Sequence, residues 1–294
     1  MTKPASIRIA WHGGASFTLD VGGIEVLVDP SFSRPGDYPP WFDANANANA
    51  PPVGDYVKRF HPAYLFITHG HFDHFDLETV RKLASELPLR VVGSPDVLGI
   101  CRGTLGIARE RLLSCPTDHL SWLKLEPGRP PDATAKPSEV SVRAAPAPHW
   151  FTGEEGRVVA AKFAVRPDRY GAMPCGGPML GYVFRAARRT VYVSGDTDPG
   201  GFLPGPYDVA VVNCGGMLYN PATRELEGPW LDEATLAREA SRVIRPRVLV
   251  PVHYDHPVFQ TGFTPELLAR ALGGRPGAPA LIVPVYNEWT TLVA

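Results

Sequence analysis

The chain has 294 residues, of which 44% are hydrophobic and 20% charged, and a formal net charge of −1. That balance leaves no basic footprint for nucleic acid or an anionic membrane surface, and no stretch approaches the roughly 20 apolar residues of a membrane span. The four cysteines form no CxxC pair, which argues against a zinc ribbon or a disulfide framework and leaves buried thiols as the expectation.

Residues 1–11 carry no apolar secretion-signal core, so a soluble, cytoplasmic chain is expected. Residues 7–11, 16–21 and 25–29, separated by glycine pairs, read as a strand meander. Asp29 ends the third run, placed either to orient other groups or to cap a turn. Periodicity then vanishes over residues 31–55, a long aromatic and Ala/Asn-rich loop that suits either a lid or a solvated insertion. The continuous apolar run 63–68 reads as a strand buried on both faces. Residues 76–87 space their apolar positions for one helix face, with Asp76 as N-cap and Pro88 as the stop.

Further on, 89–93 is a strand, 95–104 a short helix and 108–114 a weaker element. Residues 119–125, 140–145, 158–165, 181–186 and 190–194 read as strands, with a Pro-rich connection at 126–137. The last segment alternates strand and helix: 208–212, 232–244, 247–252, 264–272 and 281–285. No linker divides the chain, so residues 1–294 are expected to form one domain. The 32 prolines and 29 glycines fit many short elements in a layered α/β or α+β protein.

Four of these strand ends carry groups that bind metals. His69, His71, Asp73 and His74 form an HxHxDH cluster after the first, His149 follows the second, Asp196 the third and His253 the fourth. Seven such groups suffice for two ions. Imidazoles and carboxylates without thiolate suit Zn²⁺, Mn²⁺ or Fe²⁺ in a catalytic centre better than a closed structural zinc site. One or two divalent ions per chain are therefore expected.

The order of these motifs resembles the metallo-β-lactamase superfamily. The resemblance implies an α+β fold, a four-layer αβ/βα sandwich of two mixed sheets flanked by helices. It further implies that His69, His71 and His149 hold one ion, Asp73, His74 and His253 a second, with Asp196 shared. Hydroxide held by the ions would then be the nucleophile, with Asp73 and Asp196 as catalytic carboxylates. His74 and Asp196 stand where the commonest zinc β-lactamases have Arg and Cys, which turns the reading away from antibiotic hydrolysis.

The opening Trp11-His12-Gly13-Gly14-Ala15-Ser16 is most similar to the lactonase-like branch, which includes L-ascorbate-6-phosphate lactonase and N-acylphosphatidylethanolamine phospholipase D. Gly14 replaces that branch's histidine, and His12, two positions earlier, could face the same side. The expected activity is hydrolysis of an ester, lactone or phosphodiester of a small molecule. Alternatives are a phospholipase-like enzyme, iron-dependent thiol or persulfide oxidation, and a non-catalytic metal-binding protein. Asp198 and Asp255 are candidates to orient ligands or plain turn residues, His256 to touch substrate or sit exposed, and Trp150, Phe151 and Tyr254 to wall a pocket or pack in the core. His61, His119 and Cys214 read as structural. The oligomeric state is open, a homo-oligomer included.

Overall fold

The computed structural model describes residues 5–32, 47–71, 73–116, 118, 120–127, 139–149, 179–220, 225–227, 230–256 and 262–294. The opening meander is antiparallel: β1 (Ile7–Trp11), β2 (Phe17–Val21) and β3 (Ile24–Val28) pair with Ile9 opposite Leu19 and Leu19 opposite Val26. Gly22 and Gly23 make the tight β2–β3 turn at φ 63° and 90°, conformations that side-chain-bearing residues resist. From β3 the sheet continues in parallel through β4 (Tyr64–Phe66), β5 (Arg90–Gly93) and β6 (Leu112–Ser114). The second sheet is built from β7 (Leu123–Leu125), β8 (Val140–Pro146), β9 (Leu180–Ala186), β10 (Arg189–Val193) and β11 (Tyr207–Asn213). A short hairpin, β12 (Leu218–Asn220) with β13 (Glu225–Glu227), precedes its remaining strands β14 (Pro246–Val252) and β15 (Ala280–Leu281). The last strand, β16 (Thr290–Val293), returns to the first sheet beside β1. The orders are β16-β1-β2-β3-β4-β5-β6 and β15-β14-β11-β10-β9-β8-β7.

The inner faces of the two sheets meet in one apolar core, where Val26, Phe66, Val142, Tyr182, Phe184 and Val211 are buried together. Phe66 stands edge-on to both Tyr182 and Phe184 at 5.0 Å between ring centres. Helices α1 (Val53–Arg59), α2 (Leu77–Glu86) and α3 (Pro95–Gly103) cover the outer face of the first sheet through Tyr56, Val80, Leu83 and Val97. Helix α4 (Glu233–Glu239), which widens into a π-helical turn at Ala240–Ile244, and α5 (Pro265–Leu272) cover the second through Leu236, Ile244 and Leu268. Four layers result, as expected.

Asp76 caps α2 by accepting from the Glu78 and Thr79 amides. Three expectations need correction. Residues 53–55 belong to α1 and not to the long loop. The strand expected at 281–285 is only Ala280–Leu281: Val283 and Val285 stand exposed at 42% and 58%, with no strand paired to them among the described residues. The strand expected from 119 begins at Leu123. The strand expected at 158–165 lies outside the described residues, as does 33–46 of the loop.

Candidate metal centre

Strand β4 delivers its chain to Thr68, whose amide and hydroxyl both donate to the Asp29 carboxylate at 2.7 Å. Asp29 sits just past β3 with φ 45°, a left-handed conformation that aspartate tolerates. Since the Thr68 hydroxyl gives its proton to Asp29, it accepts from His69 Nδ1 at 2.9 Å. His74 Nδ1 donates directly to Asp29 Oδ2 at 2.8 Å. One buried carboxylate thus sets the tautomer of two imidazoles and turns both Nε2 lone pairs inward. A turn in which the His71 carbonyl accepts from the amides of His74 and Phe75 folds the cluster back on itself. It brings His71 Nδ1 to 2.8 Å from His69 Nε2.

The loops after β8, β10 and β14 bring His149, Asp196 and His253 to the same place. Asp196 Oδ2 is central, 3.2 Å from His74 Nε2, 3.6 Å from His149 Nε2 and 3.9 Å from His69 Nε2. Asp73 Oδ2 lies 3.1 Å from His253 Nε2 and 3.9 Å from His74 Nε2. Three sets converge, His69 with His74 and Asp196, His71 with His149 and Asp196, and Asp73 with His74 and His253. Within each, one donor atom per residue lies within 4.8 Å of the others. Ligands placed tetrahedrally at ~2.1 Å from an ion stand ~3.4 Å apart, close to the spacings seen. His74 Nε2 is buried and has no hydrogen-bond geometry to Asp196 despite their proximity. Nitrogen and carboxylate donors facing one another in this way fit a divalent cation.

Burial works against charge throughout the cluster, and the neighbours decide which groups resist it. Burial, followed by the surrounding imidazoles, pushes His69 well below the usual histidine range and His71 down to about 3. Burial also opposes charge on His74, but Asp196, Asp73 and Asp29 together hold it well above that range. Asp73 and Asp196 are pulled below the carboxylate range against their own desolvation, chiefly by His74.

The chain matches the beta-lactamase superfamily domain over residues 25–254. It belongs to that superfamily. Among relatives, a UPF0173 metal-dependent hydrolase of Ruegeria sp. (strain TM1040) is 24% identical, the match covering 84% of this chain and 86% of that one. The fold matches Igni18, a metallo hydrolase from Ignicoccus hospitalis, with TM-score 0.61, 17% identity and 98% of each chain covered. It also matches an isothiocyanate hydrolase from Delia radicum gut bacteria, with TM-score 0.60, 16% identity, and 96% of this chain and 98% of that one covered. The protein is a metal-dependent hydrolase with the metallo-β-lactamase fold.

Around the superfamily's centre, three residues that the sequence offered only as alternatives have definite positions. Asp198 accepts from His149 Nδ1 at 3.1 Å and from Trp230 Nε1 at 3.0 Å, so it orients an imidazole. Asp255 ties loops together: it accepts from the Gly14 amide at 2.9 Å, from Asn49 Nδ2 at 3.0 Å and from the Tyr286 hydroxyl at 2.9 Å. His256 is buried, not exposed, and its ring lies nearly parallel to His253 at 5.6 Å.

His12 faces away from the centre. Its Nδ1 meets Asn287 Oδ1 and its Nε2 meets the Thr18 hydroxyl, each at 2.9 Å, inside a ring of Phe32, Tyr56 and Phe60. His61 is exposed on the surface, and Cys214 is a core thiol as expected. Tyr254 leans on Trp11 and Phe263, while His119, Trp150 and Phe151 lie outside the described residues.

Thr68, Asn213 and Trp230 also support the centre, with no motif to mark that role. Asn213 donates to Asp196 Oδ1 at 2.9 Å. Its signal was a polar side chain at the end of the apolar run 207–213.

Proposed function

We propose that the protein binds two divalent cations, Zn²⁺ or Mn²⁺, and hydrolyses an ester, lactone or phosphodiester of a small molecule. The observation that carries this reading is the convergence of five imidazoles on the Asp196 and Asp73 carboxylates, seven groups in three overlapping sets. His69, His71 and His149 would hold one ion and Asp73, His74 and His253 the other, with Asp196 between them. Bound cations supply Lewis acidity, polarising the oxygen of the scissile group and making water a stronger nucleophile.

The chain's own groups do the rest. Asp29, directly for His74 and through Thr68 for His69, keeps both imidazoles in the tautomer whose Nε2 can serve as a ligand, and Asp198 does the same for His149. All seven are at most 9% exposed, so competing water is largely excluded. Asp73 is the most accessible of them, and its carboxylate is the group best placed to accept the proton an attacking water gives up.

The test is a panel of lactones, phosphodiesters and thioesters, assayed with protein loaded separately with Zn²⁺ and Mn²⁺, with metal content measured in the same preparation. Two equivalents of bound metal are expected, with turnover of one class that a chelator abolishes. Fewer than two equivalents after loading would overturn the two-cation reading, and fewer than one would overturn the metal-dependent hydrolysis as well.

A further inference from the structure

From Val209 onward, strand β11 alternates faces. Ala210 and Val212 lie against the helices, whereas Val209 and Val211 point into the core between the sheets. By that alternation the next inward position is Asn213, 1% exposed, at the point where the core gives way to the metal centre. Its amide hydrogen bonds to Ser194 Oγ at 3.0 Å, which fixes the strand end beside the loop that carries Asp196. Its side-chain Nδ2 donates to Asp196 Oδ1, and its own Oδ1 is buried without a hydrogen bond among the described residues. A buried amide with half its capacity unmet is a poor choice for stability alone, and leucine would continue the valine row with the same branching of heavy atoms.

Asp196 has two oxygens, and they are used differently. Asn213 engages Oδ1, while Oδ2 faces the Nε2 atoms of His74, His149 and His69. We infer that Asn213 is a positioning residue that confines Asp196 to a single-oxygen bridge, so that cations on either side share Oδ2 and neither recruits Oδ1. Without the Asn213 N–H, the carboxylate is free to rotate and to serve one ion with both oxygens. This inference rests on the two-cation reading above and assigns a determinant of how the two ions are coupled.

The test compares full-length wild type, Asn213→Leu, Asn213→Gln and Asp198→Ala, each stripped of metal and titrated with Zn²⁺ by calorimetry, then loaded with Mn²⁺ for electron paramagnetic resonance. Asn213→Leu keeps the inward row apolar. Asn213→Gln keeps the amide but displaces it by one methylene, and provides a second variant if leucine disturbs the strand. Circular dichroism of the metal-free forms checks the fold. Loss of a partner that orients a ligand weakens metal binding by about 10- to 100-fold. Both Asn213 variants are expected to show that loss at both ions and to replace the exchange-coupled Mn²⁺ pair signal with that of isolated ions. Asp198→Ala, which removes the partner of His149 and Trp230 and leaves Asp196 untouched, should weaken one ion and keep the other. If folded Asn213 variants bind both ions with wild-type affinity, or keep the coupled signal, the inference is wrong. Wild type that binds no second ion would overturn the two-cation reading itself.

Discussion

His12 offers a quantitative test of where the opening strand's histidine belongs. Its ring is fully buried, and burial, only partly offset by the Asn287 hydrogen bond, lowers its pKa from 6.5 to about 4. The unfolded chain therefore takes up the proton first as pH falls. Stability contributed by the neutral ring is complete above about pH 6.5, declines between there and pH 4, and is flat below. A shift of about 2.5 units at 1.36 kcal/mol each gives a total of about 3 kcal/mol, of which about 2.5 kcal/mol is lost by pH 4.5. Other groups titrate in the same window, so the assay is a difference of differences. Urea unfolding of metal-free wild type and His12→Gln is measured at pH 7.5 and 4.5. Glutamine offers a donor and an acceptor but does not titrate, and the variant should lose about 2.5 kcal/mol less than wild type over that interval. Equal losses in the two proteins would refute the buried-neutral assignment. A variant that also failed to bind metal would return His12 to the centre.

Asp196→Asn removes a charge shared by both proposed ions and should lower affinity at both, whereas His253→Ala should empty chiefly one. Metal titration that shows only one ion lost in each would overturn the ligand assignment. Asp29→Ala leaves His69, through Thr68, and His74 without the carboxylate that orients them, and should weaken metal binding about 10- to 100-fold. It also breaks a buried pair, and denaturant unfolding of the metal-free protein should show a cost of about 3–5 kcal/mol. Asp255→Ala frees the Gly14 amide and should lower stability by about 1–2 kcal/mol in the same assay, with a weaker second ion in calorimetry.

The HxHxDH cluster was legible because its groups are local, and His149, Asp196 and His253 because each follows an apolar strand. The residues that orient them were harder to read, since those pairings exist only through space. Asp29 reaches His74 across 45 positions, and Asn213 reaches Asp196 across 17. Helix α1 escaped because Tyr56 is its one buried residue, too little for a periodic stripe. Strand β16 escaped because it is a half-exposed edge that becomes a strand only beside β1. The placement of His12 could not come from alternation along β1, because the aromatic ring that claims it is assembled from the later residues Phe32, Tyr56 and Phe60.

His253 has φ 76°, a conformation that non-glycine residues adopt at a cost of about 1–3 kcal/mol unless surroundings impose it. The imposing contact is its amide, which donates to the Gly14 carbonyl at 2.9 Å, a carbonyl that also accepts from Trp11 Nε1. The turn between the first two strands is thus a mould for the last histidine of the centre, though they lie at opposite ends of the chain. The ligand set is divided in the same way: His69, His71, Asp73 and His74 ride on the first sheet, and His149, Asp196 and His253 on the second. A bound ion would be a cross-link between the two halves of the sandwich. Its loss would be felt first as slippage of one sheet over the other, with amide exchange quickening along the Phe66–Tyr182 seam.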